Sequence, residues 1–281
     1  MLWYNEIGDE KMNKVDKFIK FISEDKGKNT IRAYKTDIKQ FLDYFKNKDI
    51  HTYTKQDIEN YKEYLLKRQK LKIISINRKL IAIHEFFEFY QIAIKIKLIK
   101  TQMQNFLNNI LTSSDIEKII KEAKKANDIR AITLFYTLRY TGMRISEALQ
   151  LKITDINKDA VVIVGKGEKS RKVFIPKKLH TIWHMYIPYR VKKTNYLFTG
   201  QRGKIVSSTG YKMVQKYGKM ADIKKEKCHP HNFRHFFCLA LAKKNVQLQD
   251  ISALAGHSDI NTSKLYLRKS QEELLDIIND I

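Results

Sequence analysis

The sequence predicts a mainly α-helical protein with a small β-sheet, in which an N-terminal helical bundle precedes a mixed α+β domain. Three observations predict this. Apolar residues recur at helical spacing through the first 100 residues, a β-branched run at residues 161–164 is followed by glycines and a second short run, and 43% of the 281 residues are hydrophobic. That share is enough for a packed core rather than a disordered chain.

The N-terminal bundle is expected to span residues 12–100. Each expected helix places apolar residues three and four positions apart, with Lys and Arg between them, so that one face can pack while the other stays charged. Residues 1–11 are expected to be a loose extension, unless Met12 is the true start. The expected helices are residues 14–22, a second helix that follows Gly27 and is capped by Asn29 or Thr30, residues 55–69 and residues 75–90.

The C-terminal domain is expected at residues 113–281, after a connecting segment at residues 101–112. It is expected to open with a capping box that starts at Ser114 and to end with a tail helix at residues 271–281. Between them the sequence predicts helices at 128–140 and 144–151, a β-hairpin with strands at 161–164 and 171–175, and a mostly helical stretch from residue 207.

The chain carries a large positive charge. Lys and Arg total 54 against 30 Asp and Glu, which gives a formal net charge of +24. Phosphates attract such an excess and release counterions on binding, so the charge indicates a polyanionic partner such as nucleic acid. The alternative is a lysine-rich surface from biased codon usage, which explains part of the lysine content but not so large an imbalance.

The cysteine content and the hydropathy favour a cytoplasmic protein. Cys228 and Cys238 are the two cysteines, and they form no Cys-x-x-Cys pattern, which fits a reducing compartment without a disulfide framework. The N-terminus lacks the basic start and apolar run of a signal peptide, and no stretch is long and apolar enough to span a bilayer. We therefore expect no membrane partner.

Two arginines stand where an anion can be held. Arg144 follows Gly142 at an expected helix start, where backbone N–H groups favour a phosphate and arginine adds a bidentate contact. Arg234 lies three residues after His231 at another expected helix start, so both side chains can face one side. The plain alternative for Arg144 is a surface ion pair with Glu147, three residues on.

Lys166 lies between two glycines at the expected hairpin tip. Glycines let the tip approach another backbone closely, and lysine can bind a phosphate or give up a proton. Lys169, Arg171 and Lys172 compete for this role, and the flanking glycines favour Lys166. Ordinary turn chemistry with a solvated lysine is the alternative.

A histidine and a tyrosine follow near the C-terminus. His257 comes after Gly256 at an expected helix junction, and Tyr266 stands nine residues later. An imidazole can move a proton near neutral pH, and a tyrosine hydroxyl can act as a nucleophile. The alternatives are a structural histidine and a tyrosine packed in the core.

Four soft ligands form a rival constellation. Cys228, His231, His235 and Cys238 lie close in sequence, and the last three share one helical face, which could bind zinc. Their spacing matches no zinc-finger pattern, and Arg234 would have no role among them. No metal ligand is therefore assigned.

In this order and spacing, the motifs resemble the active site of tyrosine site-specific recombinases, the family of lambda integrase, Cre and the Xer proteins. The surrounding Thr-Gly-x-Arg-x-Ser-Glu and Gly-His-Ser-x-Ile-x-Thr patterns are also similar. The N-terminal segment resembles the family's SAM-like core-binding domain, so the resemblance covers most of the chain and is nearest the compact Xer-like members. The interdomain segment lacks the usual prolines, and Arg268 stands where a histidine often follows the tyrosine.

The resemblance implies an enzyme that cuts and rejoins DNA through a covalent 3′-phosphotyrosine, without metal or other cofactor. The tyrosine attacks, the arginines stabilise charge, the lysine protonates the leaving oxygen, one histidine helps take the tyrosine proton and the other donates a hydrogen bond to the phosphate. The implied catalytic residues are Arg144, Lys166, His231, Arg234, His257 and the nucleophile Tyr266, with Glu147 in support.

The implied partner is a double-stranded DNA recombination site, held in a C-shaped clamp between the two domains. We expect a monomer in solution and a homo-tetramer on two paired sites, with the tail helix either docked on a neighbouring protomer or capping its own domain. A type IB topoisomerase and a non-catalytic nucleic-acid-binding protein are the rival functions. The expected DNA contacts are Arg32, Lys35, Arg78, Lys79, Lys169 and Arg171.

Overall fold

The computed structural model describes residues 14–46, 48–100, 109–164 and 170–256. The chain divides into two compact units, Met1–Met103 and Gln104–Ile281. Each unit has a hydrophobic core of its own. The expected extension at residues 1–11, the hairpin tip and the tail helix at residues 271–281 lie outside the described residues.

The described part of the N-terminal unit is a helical bundle with an aromatic core. The ring of Phe41 contacts those of Phe45, Tyr53, Tyr61 and Phe87 at centroid distances of 5.0–5.7 Å. Edge-to-face and tilted rings of this kind bury much apolar area in a small domain. The helices are α1 at residues 14–22, α2 at Lys28–Tyr44, α3 at Lys55–Glu63 and α4 at Ile73–Phe89, with a 3-10 turn at Ile50–Thr52 and a π-helical turn at Tyr64–Arg68.

Two predicted helix caps are wrong. Helix α2 begins at Lys28, and the backbone N–H of Thr30 donates to the Gly27 carbonyl at 2.9 Å, so Asn29 and Thr30 lie inside the first turn. The capping box expected from Ser114 instead starts two residues earlier. There the backbone N–H of Asp115 donates to Oγ1 of Thr112 at 3.0 Å, and the backbone N–H of Thr112 donates to Oδ2 of Asp115 at 3.0 Å.

The C-terminal unit is built around one buried helix, α6 (Ile129–Thr141), which packs against five other helices of the described residues. Its fully buried side chains include Leu134, Phe135 and Leu138. The other elements are α5 at Ser113–Lys125, α7 at Ile145–Ala148, β1 at Ala160–Val164, β2 at Ser170–Phe174, α8 at Lys177–Tyr186, β3 at Thr199–Gly200, β4 at Gly203–Lys204, α9 at Ser207–Met220, α10 at Pro230–Ala242 and α11 at Leu248–Ala255.

The sheets of this unit are small and antiparallel. Strands β1 and β2 pair from Ala160 opposite Phe174 to Val164 opposite Ser170, and β3 pairs with β4. The predicted fold class, mainly α with a small β-sheet, is confirmed. None of the helices in the described part of the chain is long and apolar enough to cross a bilayer.

Candidate active site

The junction between α6 and α7 presents Arg144. Helix α6 ends at Gly142, whose φ of +60° lies in the left-handed region, and a Cβ there would be 2.3 Å from Cδ1 of Phe237. Only glycine fits this turn without displacing the ring. Arg144 is the N-cap residue of α7, and its side chain is 44% exposed, so the guanidinium remains accessible.

The carboxylate of Glu147 lies at the centre of the candidate site and is buried. It accepts hydrogen bonds from the backbone N–H of Arg144 at 2.8 Å and from Nη1 of Arg144 at 2.9 Å. Nη2 of Arg171 donates to the same carboxylate at 2.8 Å. Burial by itself raises the pKa of Glu147, but the hydrogen bond and charge of Arg171, together with Arg144, outweigh it and hold this pKa below its ordinary value.

Arg171 is built into the site rather than exposed. Its side chain is 14% exposed, and Nη1 donates to the carbonyl of Leu254, in the last turn of α11, at 2.7 Å. Both ends of its guanidinium bind protein groups, and its expected contact with DNA stays a prediction. Its alternation along β2 turns it toward α11, whereas the neighbouring Lys172 is exposed.

Arg234, on α10, is fully buried. Its Nη1 donates to the Gly142 carbonyl at 3.1 Å, and its Nη2 donates to the Gly256 carbonyl at 3.5 Å. Burial, and then the charge of Arg144, lower the pKa of Arg234 to about 10, which still leaves the guanidinium protonated at neutral pH. Arg234 therefore brings a buried positive charge to the ends of α6 and α11.

His231 lies one turn before Arg234 on the same helix. The side chain of His231 is exposed, but nearby protein groups partly desolvate the imidazole and lower its pKa, and the charges of Arg234, His229 and Arg144 lower it further. The imidazole is therefore neutral at pH 7 and can accept a proton. Its ring stands edge-on to that of His235, with the centroids 4.5 Å apart.

Three of the six predicted catalytic residues, Arg144, His231 and Arg234, lie together in one electropositive region of the described structure. Three guanidinium groups, from Arg144, Arg171 and Arg234, surround the one carboxylate of Glu147. An excess of positive charge at a half-buried site attracts phosphate. Lys166, Lys169, His257 and Tyr266 lie outside the described residues, and their roles stay predictions.

Family models match both units of the chain. The phage integrase family model matches residues 109–273, and the model of the phage integrase N-terminal SAM-like domain matches residues 15–91. The chain belongs to the phage integrase family. Its members, the tyrosine recombinases, cleave and rejoin DNA, so the predicted family and enzyme class are confirmed.

Curated relatives and solved structures agree with this assignment. A tyrosine recombinase of Pseudothermotoga lettingae is 32% identical over 90% of this chain and 92% of its own length. XerD of Staphylococcus aureus is 30% identical over 94% of this chain and 97% of its own length. The crystal structure of XerH recombinase bound to palindromic difH substrate shares the fold, with a TM-score of 0.75, 24% identity, and coverage of 88% of this chain and 78% of that one.

The zinc constellation weighed from the sequence does not assemble in this family member. Sγ of Cys228 contacts the carbonyl oxygens of Ile223 and Lys224 at 3.6 and 3.4 Å, and it lies against Gly218. Within the described ranges, no three His, Cys, Asp or Glu side chains are placed to hold a metal ion. His231 is instead grouped with arginines.

The side chains expected to contact DNA from the N-terminal unit differ in their solvent exposure and in their ion pairs. Arg32 is exposed, and Lys35 forms an exposed ion pair with Asp16 at 2.7 Å. Lys79 is 7% exposed, and its Nζ donates to Oδ1 of Asp37 at 2.8 Å. Its ammonium is enclosed by these partners, and its expected contact with DNA stays a prediction.

Arg78 is placed differently from its neighbour. Its guanidinium pairs with the same buried carboxylate of Asp37 through both nitrogen ends, with Nη2 at 3.1 Å from Oδ1. The side chain is nevertheless 46% exposed, so one edge of the guanidinium is accessible. The sequence offered no local signal for Asp37 as the shared partner, since it looked like one of several acidic residues on a helix.

Proposed function

We propose that this tyrosine recombinase acts at a specific double-stranded DNA site through a covalent 3′-phosphotyrosine at Tyr266, and that Arg144, Lys166, His231, Arg234 and His257 are its catalytic residues. The observation that carries the proposal is the arginine cluster around Glu147. It gathers positive charge from three chain segments beside a neutral histidine. The same cluster binds the carbonyl of Gly256, the residue before His257.

The proposed reaction is a direct displacement at phosphorus. The Oη of Tyr266 bonds to phosphorus as the bond from phosphorus to the 5′ oxygen breaks, leaving a 3′-phosphotyrosine and a 5′ hydroxyl. His231, which is neutral at pH 7, helps take the tyrosine proton, and Lys166 gives a proton to the leaving oxygen. The joining step is the reverse, with a DNA hydroxyl as the nucleophile.

The guanidinium groups stabilise the transition state. Arg144 is accessible at the surface of the cluster, while Arg234 is held by two carbonyls below it. Fixed donors of this kind stabilise charge on the non-bridging oxygens without having to reorganise during the reaction. The hydrogen bond that His257 donates to the phosphate completes this proposed set. No metal or other cofactor is part of the proposal.

The assembly is proposed by analogy with the family. One protomer would bind each half of a DNA site with both of its domains around the duplex, and four protomers would pair two sites. The tail at residues 271–281 would dock on a neighbouring protomer. The two domains would be the N-terminal bundle and the C-terminal unit, whose core includes Leu111 of the expected connecting segment 101–112. Integration, excision and resolution of DNA are the tasks that this chemistry can serve.

The substitution Tyr266→Phe tests the proposed nucleophile. The variant should bind site DNA as the wild type does, but trap no covalent complex on a nicked suicide substrate, because the attacking oxygen is gone. Denaturing gel electrophoresis of the protein–DNA mixture measures the adduct. Tyr211→Phe, which removes a hydroxyl from a partly exposed tyrosine on α9, is the matched control and should trap the complex normally.

A covalent adduct formed at the wild-type rate by Tyr266→Phe would remove Tyr266 from the mechanism. The rival topoisomerase function predicts a different activity on DNA. A topoisomerase would relax supercoiled DNA without a defined site, whereas a recombinase would exchange strands between two copies of one site. Incubating two labelled site-bearing fragments together separates the two functions.

A further inference from the structure

The side chain of Arg171 joins three parts of the C-terminal unit. The residue lies on β2, five positions after Lys166 along the same hairpin. Its Nη2 donates to Glu147 at 2.8 Å, and its Nη1 donates to the Leu254 carbonyl at 2.7 Å. One guanidinium thus connects the hairpin with α7, which starts at Arg144, and with the end of α11.

The chain makes room for this guanidinium at Gly256. A Cβ at Gly256 would lie 2.1 Å from Cδ and 2.6 Å from Nε of Arg171, and the φ of Gly256 is +68°. The side chain therefore lies flat against the left-handed turn that ends α11. The Nε of Arg171 is buried in this contact, and 14% of the side chain remains exposed.

The last turn of α11 is bound by two arginines rather than by solvent. Arg171 binds the Leu254 carbonyl, and Arg234 binds the Gly256 carbonyl. Carbonyl groups at a helix C-terminus carry partial negative charge and have no partner within the helix, so cations stabilise them. The position at which the chain leaves α11 toward His257 is therefore set by these two side chains.

Glu147 links Arg171 to Arg144. The carboxylate is shared between the guanidinium groups of Arg144 and Arg171. Without Arg171 one carboxylate oxygen would lose its only side-chain donor among the described residues. That oxygen would keep the backbone N–H of Arg144 as a donor, and among the described residues the carboxylate would have no side-chain link to β2.

We propose that Arg171 is a positioning residue, which seats the Lys166 hairpin against Arg144 and against the start of the segment that carries His257 and Tyr266. It touches no reacting atom. The inference rests on the proposed function, because the residues that it positions are those of the proposed mechanism. Removing Arg171 should therefore slow the chemical step and leave DNA affinity unchanged.

Single-turnover cleavage of a nicked suicide substrate at saturating protein, together with a separate Kd for the same DNA, tests this inference. Arg171→Ala should cleave about 10- to 100-fold more slowly, the effect of moving catalytic groups by roughly 1 Å, with an unchanged Kd. Arg171→Lys keeps the charge beside Glu147 but has one nitrogen instead of a fork, so it should recover part of the rate.

Arg130→Ala is the matched control. Arg130 is also a half-buried arginine of this unit, its Nη1 also donates to a backbone carbonyl, that of Thr199, at 2.8 Å, and its Nε is also buried without a described partner. It binds no residue of the cluster. We expect Arg130→Ala to lower the melting temperature without changing the cleavage rate at saturation.

A double-mutant cycle tests whether Arg171 acts through Glu147. Glu147→Gln alone should slow cleavage, and adding Arg171→Ala should slow it much less than Arg171→Ala does in the wild type, since the shared carboxylate is already gone. Full additivity of the two rate effects would contradict action through Glu147. If Arg171→Ala fails to fold, Arg171→Lys carries the test with the same two readouts.

Three results would overturn the inference. They are a wild-type cleavage rate in Arg171→Ala, an equal loss of rate in Arg130→Ala, and a weakened Kd with an unchanged rate at saturation, which would make Arg171 a DNA contact instead. Failure of the proposed function is recognised separately. In that case Tyr266→Phe would still form the covalent complex, whatever Arg171→Ala does.

Discussion

At the scale of single residues, two glycines form the turns that shape the candidate site. Gly142 and Gly256 both have positive φ, end α6 and α11, and expose the carbonyls that Arg234 binds. A side chain at either position meets a neighbour at less than contact distance, Phe237 in one case and Arg171 in the other. Their conformation and their lack of a side chain are both required.

Gly256→Ala should therefore weaken both stability and cleavage. A non-glycine residue in a sparsely populated backbone conformation costs about 1–3 kcal/mol, and the added methyl group would push Arg171 away from Leu254. Urea denaturation and suicide-substrate cleavage measure the two effects. Gly200→Ala is the control, because its Cβ would lie 3.3 Å from Nη1 of Arg130 at an ordinary φ, and it should retain the cleavage rate. An unchanged cleavage rate in Gly256→Ala would contradict the role of this turn.

The cleavage rate should depend on the protonation of His231. Desolvation of the imidazole by nearby protein groups, first of all, lowers the pKa of His231 below the ordinary value of 6.5, so the imidazole is neutral and able to accept a proton at pH 7. Cleavage should then fall as the pH drops through this lowered pKa. The folded protein should also lose stability there, because the unfolded chain binds the proton more readily.

Rate measurements from pH 4.5 to 8 in His231→Gln separate this group from its neighbours. The variant should cleave slowly and lose the acid limb of the profile. His229, whose pKa is also lowered by burial, is the control, and His229→Gln should keep the limb. An acid limb that persists in His231→Gln and disappears in His229→Gln would reassign it.

At the scale of secondary-structure elements, ion pairs around the buried carboxylate of Asp37 link α2 to α4. Asp37, near the middle of α2, is 1% exposed and binds both Arg78 and Lys79 of α4. Lys79 also donates to Oε1 of Gln40, so its ammonium has two partners. A buried carboxylate between two cations orients the helices, because any other register would leave a charge uncompensated.

Asp37→Asn should destabilise the N-terminal unit by about 3 kcal/mol, since two cations, one of them buried, would lose their shared counter-ion. The full chain's unfolding in urea, followed by tyrosine fluorescence, measures the change. Lys35→Met breaks the exposed pair with Asp16 and is the control, with little change expected. Unfolding of Asp37→Asn at the wild-type urea concentration would show that aromatic packing alone holds the pair of helices.

The sequence predicted elements better than it predicted contacts between them. The helices at 14–22 and 75–90 and the hairpin at 161–175 were found within a few residues, because apolar spacing and glycines act locally. The partner of Arg171 lies 83 residues later, and that of Arg78 lies 41 residues earlier. Both pairings depend on such distant carbonyls and carboxylates, which local sequence patterns do not reveal.

Charge and division into two units govern DNA binding at the scale of the whole molecule. The net charge is +24, and lysines and arginines occur in both units. A fragment for testing this should begin at Gln104 rather than at residue 113. Leu111 is buried in the core of the C-terminal unit, and Nδ2 of Asn232 donates to the Asn109 carbonyl at 2.7 Å.

The logarithm of DNA affinity should fall linearly with the logarithm of salt concentration, with a slope of about −0.9 for each phosphate contacted. The fragment 104–281 should bind more weakly than the full chain and with a shallower slope, because it loses the phosphate contacts of the N-terminal unit. Fluorescence anisotropy from low to high salt gives both values. Equal slopes for fragment and full chain would exclude the N-terminal unit from the interface.

Helix α11 has only eight residues, from Leu248 to Ala255, and a helix of that length is unstable by itself in water. Ile251 and Ala255 are buried beside Cys238 of α10, and Arg171 and Arg234, from two distant segments, bind carbonyls at the end of the helix. Loss of either arginine should therefore make the backbone amides of this helix exchange faster with solvent deuterium. Exchange in α11 thus gives a reporter for the assembly of the arginine cluster that needs no DNA and no catalytic turnover.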